Sequence, residues 1–307
     1  MHVLVFADIE GSFGIWRMRQ CRTGTAEWQY GRECLTEDVN SVVRGAFQAG
    51  AEKVTVKDTH ATGFNCLTKK LDRRVRYIGG HYSKPSFFGD IIDGDIVLYV
   101  AIHAASGTAD AFFPHTHYGI FSEMRMNGRV VCELDIYGGY LGEFGIPVGF
   151  VSGEKIAVEQ AKVSLPWIRS VTVDKNKETY TSGEKSIAYL RKGRTMLEEE
   201  AAAAVAEASR MKPLVFEGPL HFEADFINEK LAKNHNSWSY PREGATVRWD
   251  AAHMIDGFDM FNRLTFFPRW FYPLRRPLLF AMRKFFFIKN NYCAPRPERE
   301  GAAIYLP

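Results

Sequence analysis

The chain of 307 residues has only five cysteines, an odd number, and no two of them form a CxxC pair. That excludes a cysteine-built structural zinc site and argues against a disulfide framework, so a reducing compartment, the cytoplasm, is expected. Charge of either sign is not in excess: the net value is +3, which leaves no global electrostatic case for binding nucleic acid. Apolar runs of the ~20 residues needed to span a bilayer are missing. The chain opens on the apolar run Val3-Leu4-Val5-Phe6-Ala7 and meets Asp8 at once, which is too short and too soon charged for a signal peptide. What is present is an ordinary globular balance, 46% hydrophobic and 24% charged, enough apolar surface for a sizeable core. The charge is uneven. Seven basic residues and no acidic one lie between Arg263 and Lys289, and the remainder is mildly acidic.

Short Val- and Ile-rich runs at 3–7, 53–57, 96–101, 130–136 and 148–152 read as strands buried on both faces. Between the first two, a helix follows Leu35. Thr36 can cap it, Glu37 and Asp38 suit its positive end, Val39, Val42, Val43, Ala46 and Phe47 form its stripe, and Gly50 ends it. Further helices are expected at 154–163, 186–211 and 250–264, with an alternating strand-bearing stretch at 214–226. This rhythm predicts a layered α/β/α fold with a largely parallel sheet, joined by a smaller α+β region and a C-terminal extension.

Candidate ligands cluster at the carboxyl ends of these strands, the edge at which open α/β sheets bind ligands. Asp8 and Glu10 end the first strand two residues apart, so both would point one way; the plainer reading is a solvated strand end or a turn cap. Asp58-Thr59-His60 follows the second, where His60 is a ligand or a surface histidine and Asp58 its partner or a cap. His103 follows the third. Repetition at the ends of different parallel strands favours convergence on one metal, and oxygen and imidazole donors suit zinc, manganese or cobalt. His115 and His117, in Pro114-His115-Thr116-His117, could each move protons, attack as a nucleophile, ligate a metal or lie on the surface. Glu133, inside an apolar run, is costly to bury unless paired or bound to a cation; otherwise it faces solvent.

In order along the chain, Ala7-Asp8-Ile9-Glu10-Gly11, Leu35-Thr36-Glu37, Asp58-Thr59-His60, His103-Ala104, His115, Asn127-Gly128-Arg129 with Glu133-Leu134, and Tyr140, Gly142 and Pro147-Val148 resemble the D-aminopeptidase family of zinc metallopeptidases, the DppA type. The likeness covers roughly residues 1–265 and is densest up to 153. It implies Asp8, Glu10, His60, His103 and Glu133 as metal ligands, His115 as the active-site histidine, and Zn2+, two ions per chain, with Asp8 able to bridge them. It further implies short peptides with N-terminal D-residues such as D-alanine as substrates, and a ring-like homo-oligomer, a decamer being the size it suggests. The same ligands would also serve a hydrolase of another small amide or ester. The chain departs from the family where a glycine shortly before the metal histidine is replaced by Ala101 or Ile102, in a loop one residue longer between His103 and His115, in the extra His117, and in His81 ahead of Tyr82-Ser83-Lys84-Pro85.

On this reading 1–153 is the metal-binding catalytic region, 154–265 a second α/β region completing the fold and oligomer contacts, and 266–307 a basic aromatic extension. The extension, with Phe266-Phe267-Pro268-Arg269-Trp270-Phe271-Tyr272-Pro273 and Phe285-Phe286-Phe287, reads as a strap packed on the protein or its neighbour, membrane association being the weaker alternative. Within it, 295–300 reads as loose and 302–306 as a segment that could dock.

Overall fold

The computed structural model describes residues 1–83, 86–88 and 93–292, with residues 83, 86, 87 and 292 described by their backbone alone. The expectations for Lys84-Pro85, 295–300 and 302–306 lie outside the described residues. In chain order the strands are β1 (His2–Ala7), β2 (Lys53–Asp58), β3 (Arg76–Ile78), the short pair β4 (Tyr82–Ser83) and β5 (Ser86–Phe87), β6 (Ile96–Ile102), β7 (Phe121–Met126), β8 (Arg129–Val130), β9 (Val148–Glu154), β10 (Arg169–Val173), β11 (Leu220–Phe226), β12 (Arg242–Glu243) and β13 (Thr246–Ala251). The helices are α1 (Ala26–Gln48), α2 (Glu133–Gly142), α3 (Lys155–Ser164), α4 (Lys177–Thr181), α5 (Glu184–Ala206), α6 (Glu229–His235), α7 (Met254–Thr265) and α8 (Arg275–Tyr292).

Six strands form a wholly parallel sheet in the order β10-β9-β6-β1-β2-β3, so the chain has the α/β fold that its apolar strand runs imply. Every residue of β1, β6 and β9 is buried. Side chains alternate across the sheet. Val3, Val5 and Ala7 pack with α1 and α5 on one face, and Leu4 and Phe6 pack with α2, α7 and a second sheet on the other. The two long helices cross closely at Gly45, where a Cβ would stand 2.1 Å from the carbonyl oxygen of Glu198. The second sheet is antiparallel, in the order β12-β13-β11-β7-β8, and draws on strands from both sides of position 153. Its β11 carries the alternation of Leu220, Phe222, Ala224 and Phe226, all buried.

Three elements differ from the sequence expectation. The run 130–136 is not a strand: β8 stops at Val130, and Cys132 caps α2, its amide donating to Asp135 Oδ2 at 3.0 Å. Hydrophobic periodicity cannot tell a short buried strand from a buried helix start, and here the cap decides. Helix α1 begins ten residues before Thr36, at Ala26, where the Thr25 hydroxyl accepts the Trp28 amide at 3.1 Å. Thr36 instead lies within the helix and its hydroxyl bonds back to the Arg32 carbonyl at 2.7 Å. The last amphipathic helix starts at Met254, and Asp250 belongs to β13, whose alternating Val247, Trp249 and Ala251 are buried. By contrast the helix expected at 154–163 is present as α3, with Glu154 as its cap, accepting the amides of Ile156 and Ala157 at 3.1 Å each.

The extension packs on the protein's own surface. Helix α8 lies beside the loop after β2. Arg283 donates to the His81 carbonyl at 2.8 Å, and Asn290 donates to Thr62 Oγ1 at 2.9 Å. Buried Arg32 of α1 reaches the Asn290 carbonyl at 2.6 Å and Asn291 Oδ1 at 3.1 Å.

One strand carries backbone strain. Ala101, in β6, has φ +67°, and the pairing of β6 with β9 slips register between Tyr99 and Ile102. An alanine in the left-handed region costs about 1–2 kcal/mol, while glycine loses about 0.4–1 kcal/mol more chain entropy on folding. Ala101→Gly is therefore expected to stabilise the protein modestly, by about 0.5–1 kcal/mol. A higher thermal midpoint than the parent's is the outcome to look for; a lower one would mean that the methyl group's packing outweighs the strain.

Candidate metal centre

Strands β6, β1 and β2 are neighbours, and Ala7 at the end of β1 lies opposite Val100 on one side and Asp58 on the other. Asp8, His103 and His60 therefore leave the sheet at adjacent points along one edge. Strand alternation does not place Glu10, because β1 stops at Ala7. A tight turn does so: the Ile9 amide donates to Asp8 Oδ1 at 2.9 Å and the Ser12 amide to the Ile9 carbonyl at 3.1 Å. The turn lies against β6, where the Gly11 amide donates to the Ala101 carbonyl at 2.8 Å. A Cβ at Gly11 would stand 2.4 Å from both the Ala101 carbonyl carbon and the Ile102 oxygen, so only glycine fits. Glu133 arrives from the opposite layer as the first residue of α2, where the helix dipole favours a carboxylate.

Each of three imidazoles is tied through one ring nitrogen to a backbone carbonyl. His60 Nε2 meets the Cys21 carbonyl at 2.9 Å, His103 Nδ1 that of Ala104 at 3.0 Å, and His115 Nδ1 that of Phe113 at 3.0 Å. A carbonyl only accepts, so those nitrogens carry the proton and the opposite nitrogens are left for the interior. There His60 Nδ1 lies 3.2 Å from Asp8 Oδ1 and 3.1 Å from Glu10 Oε2. His103 Nε2 lies 3.4 Å from Asp8 Oδ2 and 3.3 Å from Glu133 Oε1. The His115 ring stacks on that of His103, with centroids 3.7 Å apart. Donor atoms of Asp8, Glu10 and His103 lie within 4.8 Å of one another, as do those of His103, His115 and Glu133. His103 belongs to both groups, and Asp8 turns Oδ1 to His60 and Oδ2 to His103.

The electrostatics of this cluster require cations. Oδ2 of Asp8 and both oxygens of Glu10 are buried without a directed hydrogen-bond donor among the described residues, and the His60–Glu10 contact is an ion pair. Burying an unpaired carboxylate costs several kcal/mol. In the metal-free protein protons fill the need. Burial and then the neighbouring Glu10 charge push Asp8 up to about 7. Burial opposes charging His60 and His103, but Glu10 in the first case and Glu133 in the second outweigh it, raising His60 well above its ordinary value and His103 to about 10. The same pairings overcome burial at Glu10, held well below the usual range, and at Glu133, lowered to about 2. Burial and the His103 charge lower His115 to about 4, so its ring is neutral. Tethered imidazoles, facing carboxylates of which Asp8 Oδ2 and both Glu10 oxygens have no donor among the described residues, form a donor set that fits zinc.

Other residues singled out from the sequence sit apart from this geometry. Asp58 is a cap: its carboxylate accepts the amides of Asn65 and Cys66 at 2.5 and 2.9 Å and the Tyr77 hydroxyl at 2.9 Å. It thereby holds Asn65, which donates to the His60 carbonyl at 2.6 Å. His117, with φ +64°, turns its ring to the Tyr137 hydroxyl at 2.7 Å and Asn262 Oδ1 at 3.0 Å, while its amide donates to Glu133 Oε1 at 2.7 Å. His81 bonds the Ala61 carbonyl at 2.5 Å. Sequence reasoning missed two supports. Tyr99 donates to Glu133 Oε2 at 3.3 Å, and as the one polar tip in the apolar run of β6 it was open to notice. Lys175 holds the carbonyls of Ser12 and Ile15 at 2.8 and 3.1 Å, and no local pattern signalled it.

A family model described as D-aminopeptidase matches residues 1–263. Among curated proteins, the D-aminopeptidase of Bacillus subtilis (strain 168) is 27% identical over 268 residues, covering 84% of this chain and 94% of that one. Among solved structures, the Zn-dependent D-aminopeptidase DppA from Bacillus subtilis, described as a self-compartmentalizing protease, superposes with a TM-score of 0.76 at 22% identity, covering 88% of this chain and 98% of its own.

Metal binding must expel the protons that the free cluster holds. Because His60 and His103 are raised and coordination needs neutral imidazoles, apparent affinity should climb with pH from 6 to 8, with release of about two protons per chain at neutral pH. Zinc titration calorimetry in buffers of different ionisation enthalpy checks this; heats that do not depend on the buffer would contradict it.

Proposed function

This chain belongs to the D-aminopeptidase family, and on that premise we propose that it cleaves short peptides with N-terminal D-residues such as D-alanine, using two zinc ions. Asp8, Glu10, His60, His103 and Glu133 would hold the ions, and His115 acts at the reacting bond. One observation carries the reading: tethered imidazoles aim their remaining nitrogens at buried carboxylates, and Asp8 Oδ2 and both oxygens of Glu10 have no hydrogen-bond donor among the described residues. The zinc dependence of the solved relative supports the choice of metal.

Zinc, when bound, supplies the Lewis acidity that polarises a scissile carbonyl. The chain supplies the rest. His115 is neutral at working pH, its Nδ1 is committed to the Phe113 carbonyl, and its ring is held by the His103 stack. Nε2 is thus the nitrogen that takes a proton or attacks the carbonyl. Tyr99 and the His117 amide fix both oxygens of Glu133, leaving its remaining lone pairs directed by the helix start. His117 is the positioning neighbour and His115 the reacting one, because both ring nitrogens of His117 already have partners. The assembly proposed is a ring-like homo-oligomer, a decamer in its fullest form, supported by the relative's description as self-compartmentalizing. The free, buried thiols of Cys21, Cys34, Cys66 and Cys132 support a cytoplasmic location.

His115→Ala should lower kcat/KM for D-Ala-D-Ala by about a hundred- to ten-thousand-fold with zinc content unchanged. Asp8→Ala should lose both metal and turnover. Elemental analysis alongside a dipeptide assay checks the pair. Equal activity of parent and His115→Ala would remove His115 from the chemistry, and faster hydrolysis of L-dipeptides or simple esters than of D-Ala-D-Ala would overturn the substrate class.

A further inference from the structure

The family match ends at residue 263, and α8 lies beyond it. One face of this helix is spent on the body of the protein. Leu279, Arg283, Phe286 and Asn290 recur at i, i+4, i+7 and i+11, one helical face. Leu279 and Asn290 are buried, and Arg283 and Asn290 make the hydrogen bonds to His81 and Thr62. The outer face is apolar and open. Trp270 is 75% exposed, and Leu274, Phe280, Phe285 and Ile288 are each 53–59% exposed.

The charge on this surface has one sign. No acidic residue occurs between Asp259 and Glu298. Among the described residues, Arg269, Arg276, Lys284 and Lys289 have no carboxylate within ion-pair distance, whereas Arg263 is paired with Asp259 at 2.6 Å. Lys284 lies over the Phe280 ring at 4.5 Å and Lys289 over Phe285 at 5.8 Å, so the cations rise beside the apolar rings rather than away from them. Aromatic and aliphatic side chains ringed by unpaired cations, on a helix ~27 Å long lying flat, match the interface of a bilayer bearing anionic headgroups. A second copy meeting this face across a two-fold axis would set cations against cations.

We propose that the outer face of α8, with Trp270 and Leu274 ahead of it, docks this protein reversibly on membranes rich in anionic lipid. The docking is peripheral, because no described helix is long and apolar enough to cross a membrane. Surface cations near the headgroups add an attraction that salt weakens.

The experiment is co-sedimentation of the full-length protein with vesicles of phosphatidylcholine alone or mixed with phosphatidylglycerol, at low and high ionic strength. Binding is expected to the mixed vesicles only, and to fall about tenfold or more at high salt. Phe285→Ser/Ile288→Ser and Lys284→Glu/Lys289→Glu, which leave the inner face intact, should each lose about tenfold or more in binding while thermal midpoint and dipeptide hydrolysis stay at the parent level. Protein that remains in the supernatant with mixed vesicles at low salt overturns the proposal. So does binding that survives both double substitutions. If the substitutions instead change the mass of the assembly by light scattering, without vesicle binding in the parent, the face belongs to a second copy and the proposal fails.

Discussion

Asp8 and Glu10 stand side by side on one buried turn, and their negative charge must be met within the same few ångströms. Bulk solvent does not reach them, because both residues are almost completely enclosed. The surrounding arrangement follows from that demand. His60 answers both acids from the end of one strand, and His103 joins Asp8 to Glu133 from the end of another. Without a metal the answer is protons; on the proposed reading, the same atoms would ligate the metal. A centre of this kind is a fixed charge pattern first and a reaction site second.

The fold keeps that pattern from relaxing. Three adjacent parallel strands deliver their ends to one edge, and Gly11 lets the acidic turn touch the backbone of β6 with no side chain between. The acidic turn and the strand that leads to His103 are therefore in direct backbone contact. Each imidazole is held by a carbonyl from a different segment: Cys21 for His60, Ala104 for His103 and Phe113 for His115. Such outer contacts set the tautomer and the ring orientation together.

Much of this was legible in the sequence, for identifiable reasons. Apolar strand runs ending in Asp8, His60 and His103 carried both the parallel sheet and its ligand edge, because a strand buried on both faces has a simple composition. Glu133 was found for its chemistry but assigned to the wrong element: the run around it has no period long enough to separate strand from helix, and the cap through Cys132 and Asp135 is a matter of three residues. Thr36 looked like a cap because the apolar stripe after it is stronger than the one before. Strands β7 and β13 alternate with partly polar faces and were passed over. Choosing between His115 and His117 needs three dimensions, since two residues of the same type, two positions apart, differ only in what lies opposite them. Tethering carbonyls are invisible in any sequence, because every residue has one.

Arg32 links the C-terminal helix to the part of the molecule that the family model covers. Its guanidinium lies inside the protein, gripping the Asn65 carbonyl at 2.9 Å on the loop that follows His60 and the end of α8 through Asn290 and Asn291. Severing the chain at the family boundary would strip a buried cation of two of its acceptors, right behind the loop that carries His60. The extension is thus a buttress as well as an appendage: a helix outside the family match forms part of the wall on which a histidine leans.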